Sequence, residues 1–576
     1  MTSRPWTTRY DPLVPPTLAP YPETTLVDYL RDSASEAPGD TAIIFKGRRL
    51  SFRELDELSD RFAAALTSLG VARGNRVALV LPNCPQFLIA EFGAWKAGAA
   101  ILPLNPLYSG AELAEPLRSS GARIAVVLTP FYRRLKDVQS ESGVSTIIAT
   151  NIKEYFPGAL RALFTLLKEK KDGHRIQLEP GDHWFQGCLS EGGGSKGPAP
   201  RTAGSEGPGL RTVRRAGLPD PPSASDDAVF LLSGGTTGTP KTVIGTHMNL
   251  VAAGLQLRSW LDHKPHDVAL LPLPLFHVYG CVGVQSHALV SRTPLALVPN
   301  PRDLNDLLHT IERVKPTLLS AVPALFIAML NHPRVQARKV DFSSIRACFS
   351  GSAPLLAATK SRFEALSGGR IVEGYSLTEA MMACVVNPLG GPGKVGSVGL
   401  PLPDVEVAIV DAEAGERFMA TGETGEIILR APQLMSGYLN NAVETAQALR
   451  RHDDGGLWLH TGDLGYLDKD SYLFIVDRQK DLIKTSGFQV WPREVEEALA
   501  SHPAVMDVGV AGVPDELKGE VVKAWVVCRP GSDAKAEELR SYCRSKLAAY
   551  KVPAQIEFRE SLPKTITGKV LRRALK

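Results

Sequence analysis

The chain has 576 residues, more than a single hydrophobic core ordinarily serves, so two or more domains are expected. An apolar share of 44% and a charged share of 22% fit a globular protein, and 65 Lys plus Arg against 61 Asp plus Glu leave no basic excess to suggest nucleic acid as a partner. The seven cysteines are scattered, with no CxxC pair or Cys/His cluster, which argues against a structural zinc site and fits reduced thiols in a cytosol.

Residues 1–22 are proline-rich and lack an apolar core segment, so they read as an extended surface arm and not as a signal peptide. From Thr41 to Val127, short strands (42–45, 77–81) alternate with helical patterns. Ser51 with Glu54 is a capping box opening an amphipathic helix through Leu55, Leu58, Phe62, Ala65 and Leu66. The alternation resumes from Ala228 to about Ala380 and predicts a mostly parallel, doubly wound α/β architecture. The best candidate for a membrane span, 87–104, is interrupted by Glu91 and Lys96, and no apolar run reaches the roughly 18 residues a span needs.

The spacing of Leu160, Leu163, Phe164 and Leu167 predicts a helix over 157–171 with one apolar stripe and a basic side of Arg161, Lys168, Lys170 and Lys171. Such a helix suits the surface of an anionic membrane, and equally a helix packed on its own domain with a solvated basic face; the second reading is preferred. Residues 192–227 are rich in Gly, Pro, Ser and Arg and predict a disordered surface loop, with a regulatory or partner-binding loop as the alternative.

The apolar run 229–232 then feeds Ser233, Gly234, Gly235, Thr236, Thr237, Gly238, Thr239, Pro240 and Lys241. Glycines permit close backbone approach, serial N–H groups make an anion-binding concavity, and hydroxyls and a lysine add donors and charge. The pattern suggests a grip on a polyphosphate. It is not a Walker loop, because the residue before Lys241 is proline. Further on, 271–280 reads LPLPLFHVYG, and 348–354 is a strand end of small residues containing Gly351, Ser352 and Ala353. Residues 372–379 carry Glu373, Gly374, Tyr375, Ser376, Thr378 and Glu379: an aromatic face for a base, a hydroxyl, and a hard carboxylate oxygen suited to Mg²⁺.

After Gly396 the pattern changes to short strands and tight turns, a β-rich subdomain to about residue 479. It holds Thr461-Gly462-Asp463 and Asp477-Arg478, which in isolation read as a turn motif and a surface pair. From Lys480 a compact α+β unit follows, with helices at 492–500 and 536–548 and strands at 505–511 and 521–528.

SGGTTGTPK at 233–241, EGYSLTE at 373–379, TGD at 461–463, DR at 477–478 and PKTITGK at 563–569, in this order, resemble the adenylate-forming superfamily of acyl-CoA synthetases, luciferases and peptide-synthetase adenylation domains. The resemblance runs from about Thr25 to Lys569; Ser376 stands where the family commonly has glycine. It implies a large N-terminal domain over 1–479, of doubly wound sheets plus the β-rich subdomain, and a small mobile C-terminal domain over 480–576. It implies ATP or AMP bound by Ser233 to Gly238, Lys241, Gly351 to Ala353, Glu373 to Ser376, Thr378, Asp463 and Arg478, with Mg²⁺ on Glu379. Thr237, Lys241, His277 and Lys569 would be catalytic, Lys480 the hinge, and Ser486, Gly487 and Phe488 the CoA loop. PLFHVYG resembles long-chain acyl-CoA synthetases and would place His277, Val278, Tyr279 and Cys281 at an acyl channel. The expected function is ATP-dependent activation of a medium or long fatty acid through acyl-AMP, with transfer to CoA as co-substrate, in the cytoplasm or peripherally on the inner face of its membrane. Alternatives are an aryl-acid (cinnamate-like) CoA ligase, a ligase loading the acyl adenylate onto a carrier protein, or a catalytically silent binding homologue.

Overall fold

Strands built from uninterrupted Val, Ile, Leu and Ala belong in sheets covered on both faces, and two such sheets organise the chain. The computed structural model describes residues 4–191, 220–233, 240–391, 393–478, 481–485, 488–515, 517–565 and 570–575. An eight-stranded sheet runs in parallel from Asp227–Leu232 through Ala100–Pro103, Arg76–Val80, Ile124–Leu128 and Thr146–Thr150 to His183–Trp184. Its other edge is an antiparallel hairpin to Thr242–Thr246, joined by Gly437–Tyr438. A nine-stranded sheet has six parallel central strands: Arg370–Leu377, Ala347–Ser350, Leu318–Ala321, Ala269–Leu271, Leu295–Leu297 and Thr41–Phe45.

The helix Pro85–Lys96 is buried along its whole length and packs against Phe52–Ser68, whose Ser51–Glu54 capping box is formed as expected. The two ionisable residues that interrupt its apolar run are both internal. Lys96 reaches Asp56 at 2.6 Å and Asp60 at 2.7 Å, so this buried cation is paired. Glu91 instead accepts from Gln285 at 2.5 Å. Among the described residues no helix is long and apolar enough to cross a membrane.

The β-rich segment forms a five-stranded sheet of Glu406–Val410, Gly425–Arg430, Leu449–Arg451, Leu457–Leu467 and Leu473–Arg478. Beyond it, Val505–Asp515 and Gly519–Cys528 centre another sheet with its own core, including Val495, Leu499, Val510, Val526 and Leu539.

Several expected spans are shorter than predicted. The 157–171 helix is Gly158–Leu167, because Phe164 O accepts from both Lys168 N and Glu169 N and Glu169 is held by Lys153 and Arg175. The 536–548 helix ends at Arg544. Of the expected 192–227 loop, 192–219 lie outside the described residues, Ser223–Asp226 is a hydrogen-bonded turn, and the strand begins at Asp227. The N-terminal arm is pinned to the surface: Asp404 accepts from Arg4, Thr17 and Leu18, and the Tyr10 ring meets Trp260 edge-on at 5.1 Å.

Candidate active site

Parallel strands carry their ligands beyond their carboxyl ends, and both large sheets direct theirs to one place. Strand Asp227–Leu232 ends at the buried Ser233, whose N–H donates to Lys241 O at 2.7 Å, so the chain leaves and returns at one point of the hairpin. Gly234, Gly235, Thr236, Thr237 and Gly238 lie outside the described residues. The Lys241 ammonium pairs with Glu444 and sits 4.9 Å from the Tyr438 ring centroid. Tyr438 Oη in turn donates to Glu379 Oε1 at 3.0 Å. Thr378 and Glu379 follow strand Arg370–Leu377 from the other sheet, so Tyr438 bridges the two motifs.

The second cluster lies on strands Ala347–Ser350 and Arg370–Leu377, which pair Ser350 with Glu373. Gly351 follows at a tight approach: a Cβ there would meet Tyr279 Cε1 at 3.2 Å. Ser352 adopts φ 71° and Ala353 lies half-buried beside it. Gly374 backs onto Val386, Ser376 pairs with Ala383 at a bulge, and Glu373 Oε2 accepts from Leu355 N at 3.3 Å; burial raises the Glu373 carboxyl. Tyr375 Oη donates to Asp463 Oδ2 at 2.6 Å, and Arg478 Nε lies 2.8 Å from Asp463 Oδ1. Asp463 and Arg478 face each other across an antiparallel pair, which fixes this contact. Burial and the adjacent Asp463 charge hold the Tyr375 phenol neutral, while Asp463 keeps Arg478 charged.

The acyl motif is clamped by one side chain. Asn83 Nδ2 donates to Leu271 O and Leu273 O, and its Oδ1 accepts from Leu275 N. Gly280 then packs so closely that a Cβ would lie 2.2 Å from Pro274 O. His277 Nδ1 accepts from Tyr279 N at 3.2 Å; burial pushes the ring down to about 4, leaving a neutral imidazole. Residues Tyr279–Ser286 form a π-helix, a conformation that recurs at functional sites. Val278 is buried in the core.

Two cavities flank this segment. A small one, about 30 Å³, is lined among others by Tyr279, Gly283, His287, Ser320, Phe349 and Met382. A cleft of about 1470 Å³ extends from Pro274 and Phe276 past Asn105 to the apolar face of helix Gly158–Leu167, and Lys564 and Thr565 also border it. Cys281, expected beside the acyl channel, lines neither: its thiol lies 3.7 Å from Glu91 Oε1, on the face of the π-helix turned to Pro85–Lys96.

Lys480, Ser486, Gly487 and Lys569 lie outside the described residues. Phe488 is half exposed and stacks on Tyr550 at 4.6 Å. Flanking residues 479–480, Arg572 binds Asp477 at 3.0 Å, Asp481 at 2.9 Å and Glu496 at 2.8 Å, while Arg493 N donates to Asp477 at 2.7 Å. Sequence reasoning missed Tyr438, Glu444, Arg572 and Asn83. None sits in a motif, and each acquires its role from a partner far away in the chain. Among the described residues no group of three His, Cys, Asp or Glu side chains could hold a metal by itself.

Residues 30–439 match the AMP-binding enzyme family and residues 494–569 its C-terminal domain family. The chain is similar to a long-chain-fatty-acid–CoA ligase of Bacillus subtilis (strain 168), with 39% identity covering 100% of this chain and 98% of that protein. A long-chain-fatty-acid–CoA ligase of Escherichia coli O157:H7 is 34% identical over 99% and 97%. Among solved structures, the anthranilate CoA ligase AuaEII in complex with anthranoyl-AMP superposes with a TM-score of 0.79 at 26% identity, covering 96% of each chain.

Proposed function

This chain belongs to the AMP-binding enzyme family, and we propose that it is an ATP-dependent acyl-CoA synthetase acting on medium- or long-chain fatty acids. The carboxylate attacks the α-phosphorus of ATP, pyrophosphate leaves, and the CoA thiol then displaces AMP from the acyl adenylate. One observation carries the reading: Tyr375, toward the end of Arg370–Leu377, meets Asp463 and Arg478 of the β-rich sheet, and the Lys241–Tyr438–Glu379 bridge joins the segments that follow Asp227–Leu232 and Arg370–Leu377, with Gly351 against Tyr279 linking them to an apolar cavity.

Each Asp463 oxygen has taken one partner and keeps a lone pair for a ribose hydroxyl. Gly351, Ser352, Ala353, Gly374 and Tyr375 would flank adenine, and Ser233 to Lys241 would hold the phosphates, Lys241 leaving Glu444 to do so. Glu379 fits Mg²⁺, which binds through one or two carboxylates plus phosphate oxygens; when bound, the ion neutralises charge on the departing pyrophosphate. The neutral His277 would orient the carboxylate and Lys569 would stabilise charge at the α-phosphate; losing such a contact costs about 3–4 kcal/mol. Phe488 and its neighbours would admit the pantetheine arm.

A second reading, a flat aryl acid, would ask the small cavity to open less than a long chain would, although at about 30 Å³, room for a few waters, its walls must move for either. Pyrophosphate release over a panel of alkyl and aryl acids, with and without CoA, distinguishes the two. Turnover of hexadecanoate that requires CoA supports the first reading, and turnover of aryl acids alone overturns it.

Helix Gly158–Leu167 would rest on an anionic lipid surface, where fatty acid partitions. Leu166 is 80% exposed and Leu167 65%, with Lys168, Lys170 and Lys171 exposed beside them, over the mouth of the large cleft. Cosedimentation with phosphatidylglycerol vesicles should fall several-fold for Leu166→Ser. Equal sedimentation of the variant and the native chain, or none by either, would remove the helix from that role.

A further inference from the structure

The small cavity is apolar except at three groups. The Tyr279 and Ser320 hydroxyls are two of them. His287 stands apart: it is 3% exposed, and its Nε2 has no protein partner among the described residues. Buried polar atoms are nearly always paired, so an orphan on a residue in the wall of a substrate cavity points to a ligand atom. Tyr279 abuts Gly351 at the nucleotide end, whereas His287 lies further along the same helical run, with Leu257 and Leu261 beside it on the wall. The imidazole stays neutral. Burial pushes it down to about 3, His263, Arg346 and Arg258 act in the same sense, and Asp267, which is paired with Arg346, opposes them. A neutral ring nitrogen donates or accepts according to tautomer, and a hydroxyl answers either.

We propose that His287 is a specificity-determining residue of the acyl pocket, selecting acids that carry a hydroxyl remote from the carboxylate over plain hydrocarbon chains. This rests on the acyl-CoA synthetase reading. A plain chain reaching His287 would leave Nε2 unpaired, and sites built to hydrogen-bond a substrate hydroxyl discriminate against analogues lacking it. Met382 would supply the room: its thioether closes the wall over Gly283, and methionine repacks readily.

The test compares kcat/KM for pyrophosphate release, with CoA present, for hexanoate, decanoate and hexadecanoate against their terminal hydroxy acids, and for cinnamate against 4-hydroxycinnamate. Calorimetric binding of the same pairs reads His287 independently of turnover. At least one hydroxy acid should exceed its parent by about tenfold. His287→Leu should abolish that ratio, and His287→Gln, which keeps a hydrogen-bonding group, should preserve it. A parent acid favoured in every pair, or a ratio unchanged in His287→Leu, would overturn the proposal. Absence of pyrophosphate release from every acid would instead defeat the synthetase reading, and binding would still decide the part played by His287.

Discussion

Glu91 lies on a helix buried along its length, where Gln285 and Cys281 donate to its carboxyl. Burial pushes its carboxyl up from 4.5 to about 8, against the pull of those two hydrogen bonds. Below about 4.5 both folded and unfolded chains hold the proton. Between there and about 8 the unfolded chain releases it and the folded chain keeps it, so folding loses ~1.4 kcal/mol per pH unit across this window. Glu91→Gln keeps the shape and removes the titration. Its melting temperature relative to the native chain should therefore rise from about pH 5 to about pH 8, by the equivalent of up to ~4 kcal/mol; a pH-independent difference would show that Glu91 is ionised in the fold. At this scale the sequence speaks through motifs. Thr378, Glu379, Asp463 and Arg478 are legible because their neighbours are distinctive. Tyr438 and Glu444 are not, because the pairing of Gly437–Tyr438 with Thr242–Thr246 brings them to Lys241 and nothing local announces it. The Glu91 pair is likewise set by helix packing, and in sequence Glu91 reads only as a break in an apolar run.

At the scale of elements, periodicity locates helices better than it ends them. The stripe from Leu160 to Leu167 is as spaced, but its termination depends on Lys153 and Arg175 holding Glu169, contacts with no local signature. The π-helix Tyr279–Ser286 is equally invisible: its run of small and apolar residues suggests a lined tube, yet its close approach to the preceding segment is what shapes it. Gly280→Ala tests that approach. The added Cβ would lie 2.2 Å from Pro274 O, which accepts from His277 N, and 2.9 Å from Leu273 O, which Asn83 holds, so the strand end or the helix must move. A loss of about 1–3 kcal/mol is expected, seen as a lowered melting temperature, together with a raised KM for the acid and little change for ATP. Native stability and an unchanged KM would mean that this junction has slack.

At the scale of the molecule, the alternation of strand and helix makes parallel sheets legible, but it does not say how many or which strand joins which. Thr41–Phe45 pairs with Leu295–Leu297, far along the chain, and no local pattern could assign it. The orientation of the C-terminal unit is a further long-range fact. Arg572 ties Asp477 and Asp481, on either side of residues 479–480, to Glu496 on helix Pro492–Ala500; of these three contacts the one to Asp477 crosses the boundary at Lys480 and belongs to this orientation. In the same orientation Lys564 and Thr565 border the cleft beside Pro274 and Phe276. If Lys569 acts at the α-phosphate as proposed, this arrangement suits adenylate formation. If the unit turns about Lys480 between half-reactions, Arg572 biases the equilibrium toward the first. Arg572→Gln removes the charge from all three contacts, and a shift of ~1–3 kcal/mol would slow pyrophosphate exchange about 5- to 100-fold. Acyl transfer from supplied acyl-AMP to CoA should be preserved or quickened, since the competing orientation loses its clamp. Measuring both half-reactions on the same preparation decides the matter. Equal slowing of the two would mean that Arg572 supports folding alone, and no change in either would mean that the orientation is held elsewhere.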